Sequence, residues 1–546
     1  MYTIKRLLFL LLLFLTTITN CQNTVGIQTN LAESYNGYTL FSPRTSEVPR
    51  YTYLIDNCGR IINTWESQFP LFSTDYLLPD GSLFRSVVDN QSTLNIPGNT
   101  GRIEHFSWEG ELLWGATISE TNLSFHHDYV VLDNGNLLIL VAVRRTKDEA
   151  IALGRDPQTV ATDELYEERI WEIELQGADS YNVIWEWRSW DHIIQDFNSQ
   201  SSTFGNVAEN PQKVDFNYGT SFGEADWWHS NAISYHPERD HIIISNRNLD
   251  EFIIIDHSTT TEEAATGSGG NSGKGGDILY RYGNPESYRQ GDINSQALNA
   301  MHDVQFIEDT GPNAGKILIF NNQPDEGFSE ILIIDPLYDE ANSNYEYSGG
   351  AYGPENPFFS YINPSDFFSA FLSGAQELPN GNILITSGPD GKLFEITTDG
   401  SIVWEYLSPV SNLEILQDGD DPDASQTRVF RSLRYSPQYS AFENKDLTPG
   451  SPIELNPITD ECEILNLQEN STLTQHSSVY PNPALNIINI STDYIFSQAA
   501  IFNLSGQKLI ESSKKTLNIS HLPRGLYFVE ITHKNGIIET HKILKN

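Results

Sequence analysis

Residues 226–256 read DWWHSNAISYHPERDHIIISNRNLDEFIIID, and this stretch decides the fold. A short apolar run, NAISY, is followed by two longer ones, HIIISNR and EFIIID, with polar turns between them. This pattern is typical of three short strands of one antiparallel sheet. His229 and Arg247 stand at strand ends, where a rigid sheet can present both side chains to a ligand.

The same order of residues recurs along the chain. His126 and His127, and later His302, precede strand–turn–strand patterns like the one that follows His229, and Gln376 takes the place of the histidine in a further copy. Repeated small antiparallel sheets are the signature of a β-propeller. We therefore predict an all-β fold in which these polar positions converge on a central channel.

Composition limits the possible ligands. The chain has 546 residues and a formal charge of −41, and its isoelectric point is about 4.5. Such a surface repels nucleic acid and anionic membranes, so an anionic substrate would need a local basic site of His and Arg. The sequence contains no HExxH, CxxC or phosphate-loop motif, and we expect neither a metal ion nor a cofactor.

Changes in composition divide the chain into segments. We predict a secretory signal peptide and a polar N-terminal arm, then a β-propeller domain, a linker rich in Ser, Thr, Gln and Asn, and a small C-terminal β-sandwich. In order, these are residues 1–21, 22–50, 51–465, 466–478 and 479–546. Beyond the signal no apolar run is long enough to cross a bilayer, so we expect no membrane span in the mature chain.

Two cysteines, Cys58 and Cys462, flank the predicted propeller. Ring closure would bring the two ends of a propeller together, which allows a disulfide between them. Two buried thiols are the alternative, and the sequence leaves both open.

The C-terminal segment resembles an export signal. The motifs that carry the resemblance are YPNP at 480–483, NLSG at 503–506 and LPRGLYF at 522–528, before a basic end. Together they resemble the C-terminal sorting domain of type IX secretion in Bacteroidetes. The resemblance implies export across the outer membrane by the type IX machinery, followed by surface attachment or release.

The larger domain resembles the bacterial arylsulfate sulfotransferases. The segments that carry this resemblance are HHD at 126–128, WHSNAISY at 228–235, SNR at 245–247, GGDILYRYGNP at 275–285, MHDV at 301–304 and SGAQ at 373–376. Members of this family are six-bladed propellers that transfer a sulfuryl group between phenols without a nucleotide sulfate donor. The resemblance therefore implies a six-bladed β-propeller and an exported aryl-sulfate sulfotransferase.

The resemblance also implies roles for single residues. His302 would be the nucleophile, carrying the sulfuryl group as a sulfohistidine in a ping-pong reaction, and His229 and Arg247 would bind the sulfuryl oxygens. His127, or alternatively His126, would move the proton of the phenol. Further candidates for binding the phenolic donor and acceptor are His126, Asn231, Asn321, Gln376 and Trp228.

Two other functions stay open on the residues alone. A non-catalytic secreted propeller could bind a ligand or glycan, with the histidines in structural roles. A sulfate ester hydrolase would use the same donor site, with water as the acceptor. The sequence specifies neither the natural donor and acceptor nor the oligomeric state.

Overall fold

The structure is a computed structural model of the chain. The residues it describes are 24–46, 50–89, 91–160, 162–219, 225–307, 311–325, 327–457, 477–492, 496–503, 508–534 and 538–545. The predicted signal peptide and most of the predicted linker lie outside these ranges. The chain divides into two compact units, Met1–Leu465 and Asn466–Asn546, and each is described by itself.

The first unit begins with strands that alternate with tight turns. The opening strand is β1 (Gly26–Asn30). Sheet 1 contains β2 (Tyr38–Pro43), β3 (Tyr51–Ile55) and β4 (Ile61–Glu66). Sheet 2 contains β5 (Leu71–Leu77), β6 (Leu83–Val88), β7 (Gly101–Phe106) and β8 (Leu112–Thr117). Sheet 3 contains β9 (Leu123–Val131), β10 (Leu137–Thr146), β11 (Glu164–Gln176) and β12 (Ser180–Arg188).

Three more sheets follow in the same way. A short parallel pair, β13 (Ile193–Ile194) and β14 (Val214–Asp215), precedes them. Sheet 4 contains β15 (Ile233–His236), β16 (His241–Asn246), β17 (Glu251–Asp256) and β18 (Tyr280–Tyr282). Sheet 5 starts with β19 (His302–Phe306), β20 (Ile317–Asp325) and β21 (Phe328–Ile334). Two small hairpins come next, β22 (Tyr338–Asp339) with β23 (Asn344–Tyr345), and β24 (Tyr347–Ser348) with β25 (Ala351–Tyr352).

Sheet 5 is completed by β26 (Phe359–Ile362). Sheet 6 contains β27 (Gly374–Glu377), β28 (Ile383–Ser387), β29 (Lys392–Ile396) and β30 (Ile402–Leu407), with β1 added beside β30. The last strand, β31 (Val429–Tyr435), returns to pair with β2 in sheet 1. The α-helices in the described ranges are short, α1 (Lys147–Ala152), α2 (Thr261–Ala264) and α3 (Pro422–Ser425). None of the helices described is long and apolar enough to cross a membrane.

The six sheets form a closed row. Each has one edge strand, here called its inner strand, that contacts the inner strands of both neighbouring sheets. In order around the row, these are β31, β5, β9, β15, β19 and β27. Because β31 from the end of the unit pairs with β2 near its start, sheet 6 meets sheet 1 and the row closes.

Packing between neighbouring sheets explains the sequence pattern. Strands β16 and β17, HIIISN and EFIIID, are buried at every position, because both of their faces are covered. The all-β class predicted from the sequence is confirmed. Residues 22–50, predicted as a polar arm, instead contribute β1 and β2 to the sheets, since YTLFSP in β2 buries its apolar side chains. Cys58 is disulfide-bonded, and both other cysteines, Cys21 and Cys462, lie outside the described ranges.

The inner strands depart from regular geometry near their starts. The backbone of His127 has a φ of 55°, that of His229 a φ of 53° and that of Asp303 a φ of 49°. The pairing register shifts at 126–128 in β9 and between His302 and Gln305 in β19. Such bulges re-aim side chains and are enriched at functional sites.

The second unit is also built from antiparallel strands. They are β32 (Ser477–Tyr480), β33 (Ile487–Thr492), β34 (Phe496–Phe502), β35 (Lys508–Ser512), β36 (Thr516–Asn518), β37 (Gly525–His533) and β38 (Ile538–Lys545). The first sheet has the order β32-β33-β36 and the second β35-β34-β37-β38. Both sheets contribute to one apolar cluster, which includes Ile488, Leu517, Val529 and Ile543.

Candidate active site

A cavity of about 770 Å³ lies near the starts of the inner strands. His127, His229, Arg247 and His302, which the sequence predicts as catalytic residues, all line it. The other lining residues are Arg44, Thr45, Ser46, Pro70, Leu71, Val88, Ile96, Pro97, Gly98, Asn99, Phe371, Leu372, Asn412, Gln426 and Arg428. The described lining thus holds three arginines and three histidines but no carboxylate, so an acidic chain has a local site suited to an anion.

His302 begins β19 and is almost fully buried. Its Nδ1 lies 2.8 Å from Oδ1 of Asn322 and 3.2 Å from the carbonyl oxygen of Ala300. Both partners accept hydrogen bonds, so Nδ1 carries the hydrogen and Nε2 keeps its lone pair. Burial, together with the nearby Arg247 guanidinium, lowers the pKa of His302 to about 3. The imidazole is therefore a neutral base with a fixed tautomer.

His229 lies on the loop before β15. Its Nδ1 lies 2.6 Å from Oδ2 of Asp226, with both side chains largely buried. The carboxylate accepts the Nδ1–H and orients the ring, as in other Asp–His pairs. The ring centroids of His229 and His127 are 4.8 Å apart. The two imidazoles can therefore contact the same ligand.

His127 belongs to a buried chain of hydrogen-bonding groups. Oε1 of Glu168 lies 3.0 Å from Nε2 of His126, and Nδ1 of His126 lies 3.0 Å from Nδ1 of His127. Because the carboxylate only accepts, Nε2 of His126 carries a hydrogen, and the lone pair on Nδ1 of His126 accepts from Nδ1–H of His127. This order leaves the lone pair on Nε2 of His127, the atom that a general base needs.

Electrostatics favour the neutral state of His127. Burial, followed by the neighbouring His229, His126, His302 and Arg247, lowers the pKa of its imidazole well below the usual range. The ring is also covered tightly by Gly98, where a Cβ would overlap it. Gly98 has a φ of +67° and accepts the His127 backbone N–H at 2.8 Å. A side chain at this glycine would displace the imidazole.

Arg247 follows β16 and begins a short 3₁₀ turn, Arg247–Leu249. Nη1 of its guanidinium donates to Oδ1 of Asn248 at 3.2 Å. No carboxylate of the described ranges pairs with this guanidinium within 4.0 Å. Its planar set of donors, beside His229 and His302 in the cavity lining, suits the oxygens of a sulfate or phosphate group.

Arg431 contacts two inner strands, β9 and β19, through the residues that follow His127 and His302. Its Nη1 donates to Oδ2 of Asp128 at 3.1 Å, and its Nε lies 3.0 Å from Oδ1 of Asp303, at an angle unlike that of a hydrogen bond. Burial raises the pKa of Asp303 to about 6, although Arg431 opposes this. Asp128 and Asp303 directly follow His127 and His302, so this triad links the backbone beside both histidines across sheets 3 and 5.

The structure places the predicted substrate-binding residues away from the cavity lining. Trp228 packs against Trp187 and Trp227 in the core, and His126 lies behind His127. Asn231 donates to the carbonyl oxygen of Met301 at 2.9 Å, and Gln376 donates to that of Arg434 at 3.1 Å. Both amides therefore link neighbouring sheets.

Asn321 also lies outside the lining, and it is the neighbouring Asn322 that contacts one of the lining histidines. Asn321 Nδ2 donates to the carbonyl oxygen of Ala297 at 3.1 Å, whereas Asn322 contacts His302. Successive strand residues point to opposite faces of a sheet, so Asn321 and Asn322 direct their amides to opposite sides of β20. The sequence analysis also missed Asp226, Glu168 and Arg431, of which only Asp226, three residues before His229, had a local signal.

The fold and this cavity define an all-β protein with a basic site lined by three histidines and three arginines. No group of three or more His, Cys, Asp or Glu that could hold a metal ion is present among the residues described. The family described as Arylsulfotransferase (ASST) matches residues 23–403, and the secretion system C-terminal sorting domain matches residues 478–546. The chain belongs to the arylsulfotransferase family and carries a type IX secretion sorting domain, which indicates secretion or export to the cell surface.

No curated protein matches the chain. Solved structures with some similarity include a protein of unknown function from Bacteroides caccae, 11% identical, with 73% of this chain and 99% of that chain covered and a TM-score of 0.39. A second is the periplasmic gluconolactonase of Pseudomonas aeruginosa, 10% identical, with 68% and 96% covered and a TM-score of 0.36. A third is virginiamycin B lyase from Staphylococcus aureus, 10% identical, with 71% and 89% covered and a TM-score of 0.31.

Proposed function

We propose that the protein is an exported arylsulfotransferase that moves a sulfuryl group from a phenolic sulfate ester to a phenolic acceptor. Membership of the family supports a sulfotransferase in general. The observation that carries the finer proposal is His302, whose Nδ1–H is held by Asn322 while its pKa is lowered. A neutral imidazole of fixed tautomer, in a cavity lined by cations, is a competent nucleophile for an anionic ester.

The first half-reaction would form a sulfohistidine. The Nε2 lone pair of His302 forms a bond to sulfur, the bond between sulfur and the aryl oxygen breaks, and its electron pair leaves with the phenol oxygen. Arg247 donates to the sulfuryl oxygens, which offsets charge in the transition state. His229 contacts them through Nε2, which donates when the ring paired with Asp226 carries hydrogens on both nitrogens. Asn322 keeps the Nδ1–H of His302 in place throughout, because its Oδ1 only accepts.

The second half-reaction would reverse these steps with a new phenol. Nε2 of His127 takes the proton of the acceptor, the phenol oxygen attacks sulfur, and the pair of the N–S bond returns to Nε2 of His302. The next sulfate ester brings a negative charge that offsets the cations around His127. The proton is then retained on His127 and can pass to the departing phenolate.

We also propose the finer architecture from the sheet order. Six sheets whose inner strands contact one another in a closed cycle support a six-bladed β-propeller in the first unit. Two sheets around one apolar cluster support a β-sandwich in the second. Type IX secretion machinery is the partner that the sorting domain implies.

The test is incubation of the purified protein with 4-nitrophenyl sulfate, with and without added phenol. We expect sustained nitrophenol release that depends on phenol, together with formation of phenyl sulfate. Sustained release without phenol would make the protein a sulfate ester hydrolase. Absence of release and of any labelled protein would leave a ligand-binding protein and would overturn the proposal.

A further inference from the structure

The cavity holds more positive charge than a single sulfuryl group requires. Arg247 and the three histidines come from sheets 3, 4 and 5, whereas Arg428 precedes β31 and lines the cavity from sheet 1. Among the described residues, no Asp or Glu oxygen lies within 4.0 Å of the Arg428 side-chain nitrogens. Arg428 is only partly exposed, so its guanidinium has lost part of its hydration without gaining a carboxylate.

An aromatic ring lies beside this arginine. The guanidinium carbon of Arg428 is 5.6 Å from the ring centroid of Phe371. Phe371 lines the same cavity and is 38% exposed, a large exposed fraction for a phenylalanine side chain. The pair thus offers an apolar face and a cation at neighbouring positions.

The same segment of chain is tied to the proposed nucleophile. Nδ2 of Asn322 donates to the carbonyl oxygens of Ser369 at 2.9 Å and of Leu372 at 3.1 Å, on either side of Phe371. Oδ1 of Asn322 holds Nδ1 of His302. The segment that carries Phe371 is therefore held by the same amide as His302, and both residues line the one cavity in which the aryl group of a substrate would bind.

We propose that Phe371 and Arg428 form an aryl-binding position that selects phenols carrying a second anionic group, such as a carboxylate, as acceptors. The inference rests on the proposed function and adds a substrate class to it. The phenylalanine packs against the aromatic ring, and the guanidinium pairs with the remote anion through charge-assisted hydrogen bonds. Arg44 lines the same cavity, and burial together with the nearby Arg428 lowers the pKa of its guanidinium, which places two arginines close together on this side.

The experiment compares two acceptors of nearly equal shape, 4-hydroxybenzoate and the uncharged 4-hydroxybenzamide, with 4-nitrophenyl sulfate as donor. We expect the native protein to prefer 4-hydroxybenzoate by about tenfold in acceptor kcat/KM, since hydrogen bonds to charged groups are stronger than neutral ones. Arg428→Gln should lower kcat/KM for 4-hydroxybenzoate much more than for 4-hydroxybenzamide and so remove this preference. Arg428→Lys should retain part of it, because the charge remains.

The matched control is Arg188→Gln, which removes the same charge outside the cavity, from a side chain that is 43% exposed and paired with Glu186. It should leave the acceptor preference unchanged. Far-ultraviolet circular dichroism checks that each variant is folded. An equal preference for both acceptors in the native protein, or an equal loss for both in Arg428→Gln, would overturn the inference.

Equilibrium binding separates this inference from the proposed reaction. Isothermal titration of the native protein with 4-hydroxybenzoate should give a Kd about tenfold lower than titration with 4-hydroxybenzamide, and Arg428→Gln should abolish the difference. If the protein transfers no sulfuryl group but shows this selective binding, the aryl position stands and the proposed reaction fails. If transfer to phenol occurs but binding does not distinguish the two acceptors, the reaction stands and the aryl position fails.

Discussion

Replacing Arg431 by methionine should destabilise the first unit more strongly at pH 7.5 than at pH 6. The guanidinium pairs with Asp128 and Asp303, whose side chains are 0% and 1% exposed. Methionine has a similar length but no charge, so the change leaves two buried carboxylates without their cation. Asp128 keeps other donors, the hydroxyl of Tyr76 and the backbone N–H of Ile233, and Asp303 keeps the N–H of Ala375.

The magnitude follows from the pKa of Asp303. Its value of about 6 in the native protein lies above the unperturbed 3.8, so the native state binds more protons between these pH values and loses stability as pH rises through this window. Without Arg431 the folded pKa rises further, and the loss continues from pH 6 to 7.5. At about 1.4 kcal/mol per pH unit this adds about 2 kcal/mol. With the broken pair to Asp128, we expect a total loss of about 3–5 kcal/mol at pH 7.5.

Denaturant unfolding followed by tryptophan fluorescence measures this effect. All ten tryptophans belong to the first unit, so the signal reports that unit alone. Arg188→Met is the control, because removing an ion pair of this exposure should cost less than about 1 kcal/mol. A loss below about 1 kcal/mol for Arg431→Met, or a loss that is the same at both pH values, would refute the reasoning.

Four further predictions concern the reaction. His302→Ala should abolish both nitrophenol release and acid-labile labelling of the protein by a ³⁵S donor with the fold intact, and near-normal activity would contradict the nucleophile assignment. Arg247→Lys should lower kcat/KM for 4-nitrophenyl sulfate by about 100-fold, because one ammonium cannot replace the planar set of donors; a change below about threefold in steady-state assays would exclude that role. In Glu168→Gln the new amide can donate to His126, which would reverse the tautomers of His126 and His127. The acceptor step should then slow, while the nitrophenol burst, which needs no proton, persists in stopped-flow records. Finally, because the pKa of His302 is about 3, its nucleophile stays unprotonated at mildly acidic pH, and the burst rate should change by less than about threefold from pH 8 to pH 5; a fall with an apparent pKa near 6.5 would mean that an ordinary histidine attacks.

The four residues predicted as catalytic were accessible to sequence analysis because they stand at strand ends in a repeated pattern. Equivalent positions in successive sheets face the same space, so His127, His229 and His302 could be grouped without any knowledge of distance. Arg247 could be added to this group because it stands at the end of a strand in the same repeat as His229. The structure brings all four to one cavity, while their proposed catalytic roles stay predictions.

The partners of these residues could not be predicted in the same way. Glu168 lies 42 residues from His126, and Arg431 lies 303 residues from Asp128. Each contact depends on the pairing of strands or on the closure of the row of sheets, which no local pattern encodes. Asn322 was missed for a different reason, since a two-residue asparagine run leaves the facing residue undetermined until the strand register is known.

The bulges connect the site with the closure of the fold. At each of three inner strands a histidine lines the cavity, and a nearby residue turns to the neighbouring sheet. Asp128 accepts the N–H of Ile233, Asn231 donates to Met301, and Asp303 accepts the N–H of Ala375. In a regular strand, successive side chains point to the two faces of the sheet. A histidine and the residue after it would then point in opposite directions, and neither would reach the neighbouring sheet. The left-handed backbone at His127, His229 and Asp303 provides this direction, so the strain there is balanced by bonds between sheets. At His127-Asp128 and at His302-Asp303, one local deviation therefore places an imidazole in the cavity and fixes a neighbouring sheet through the aspartate.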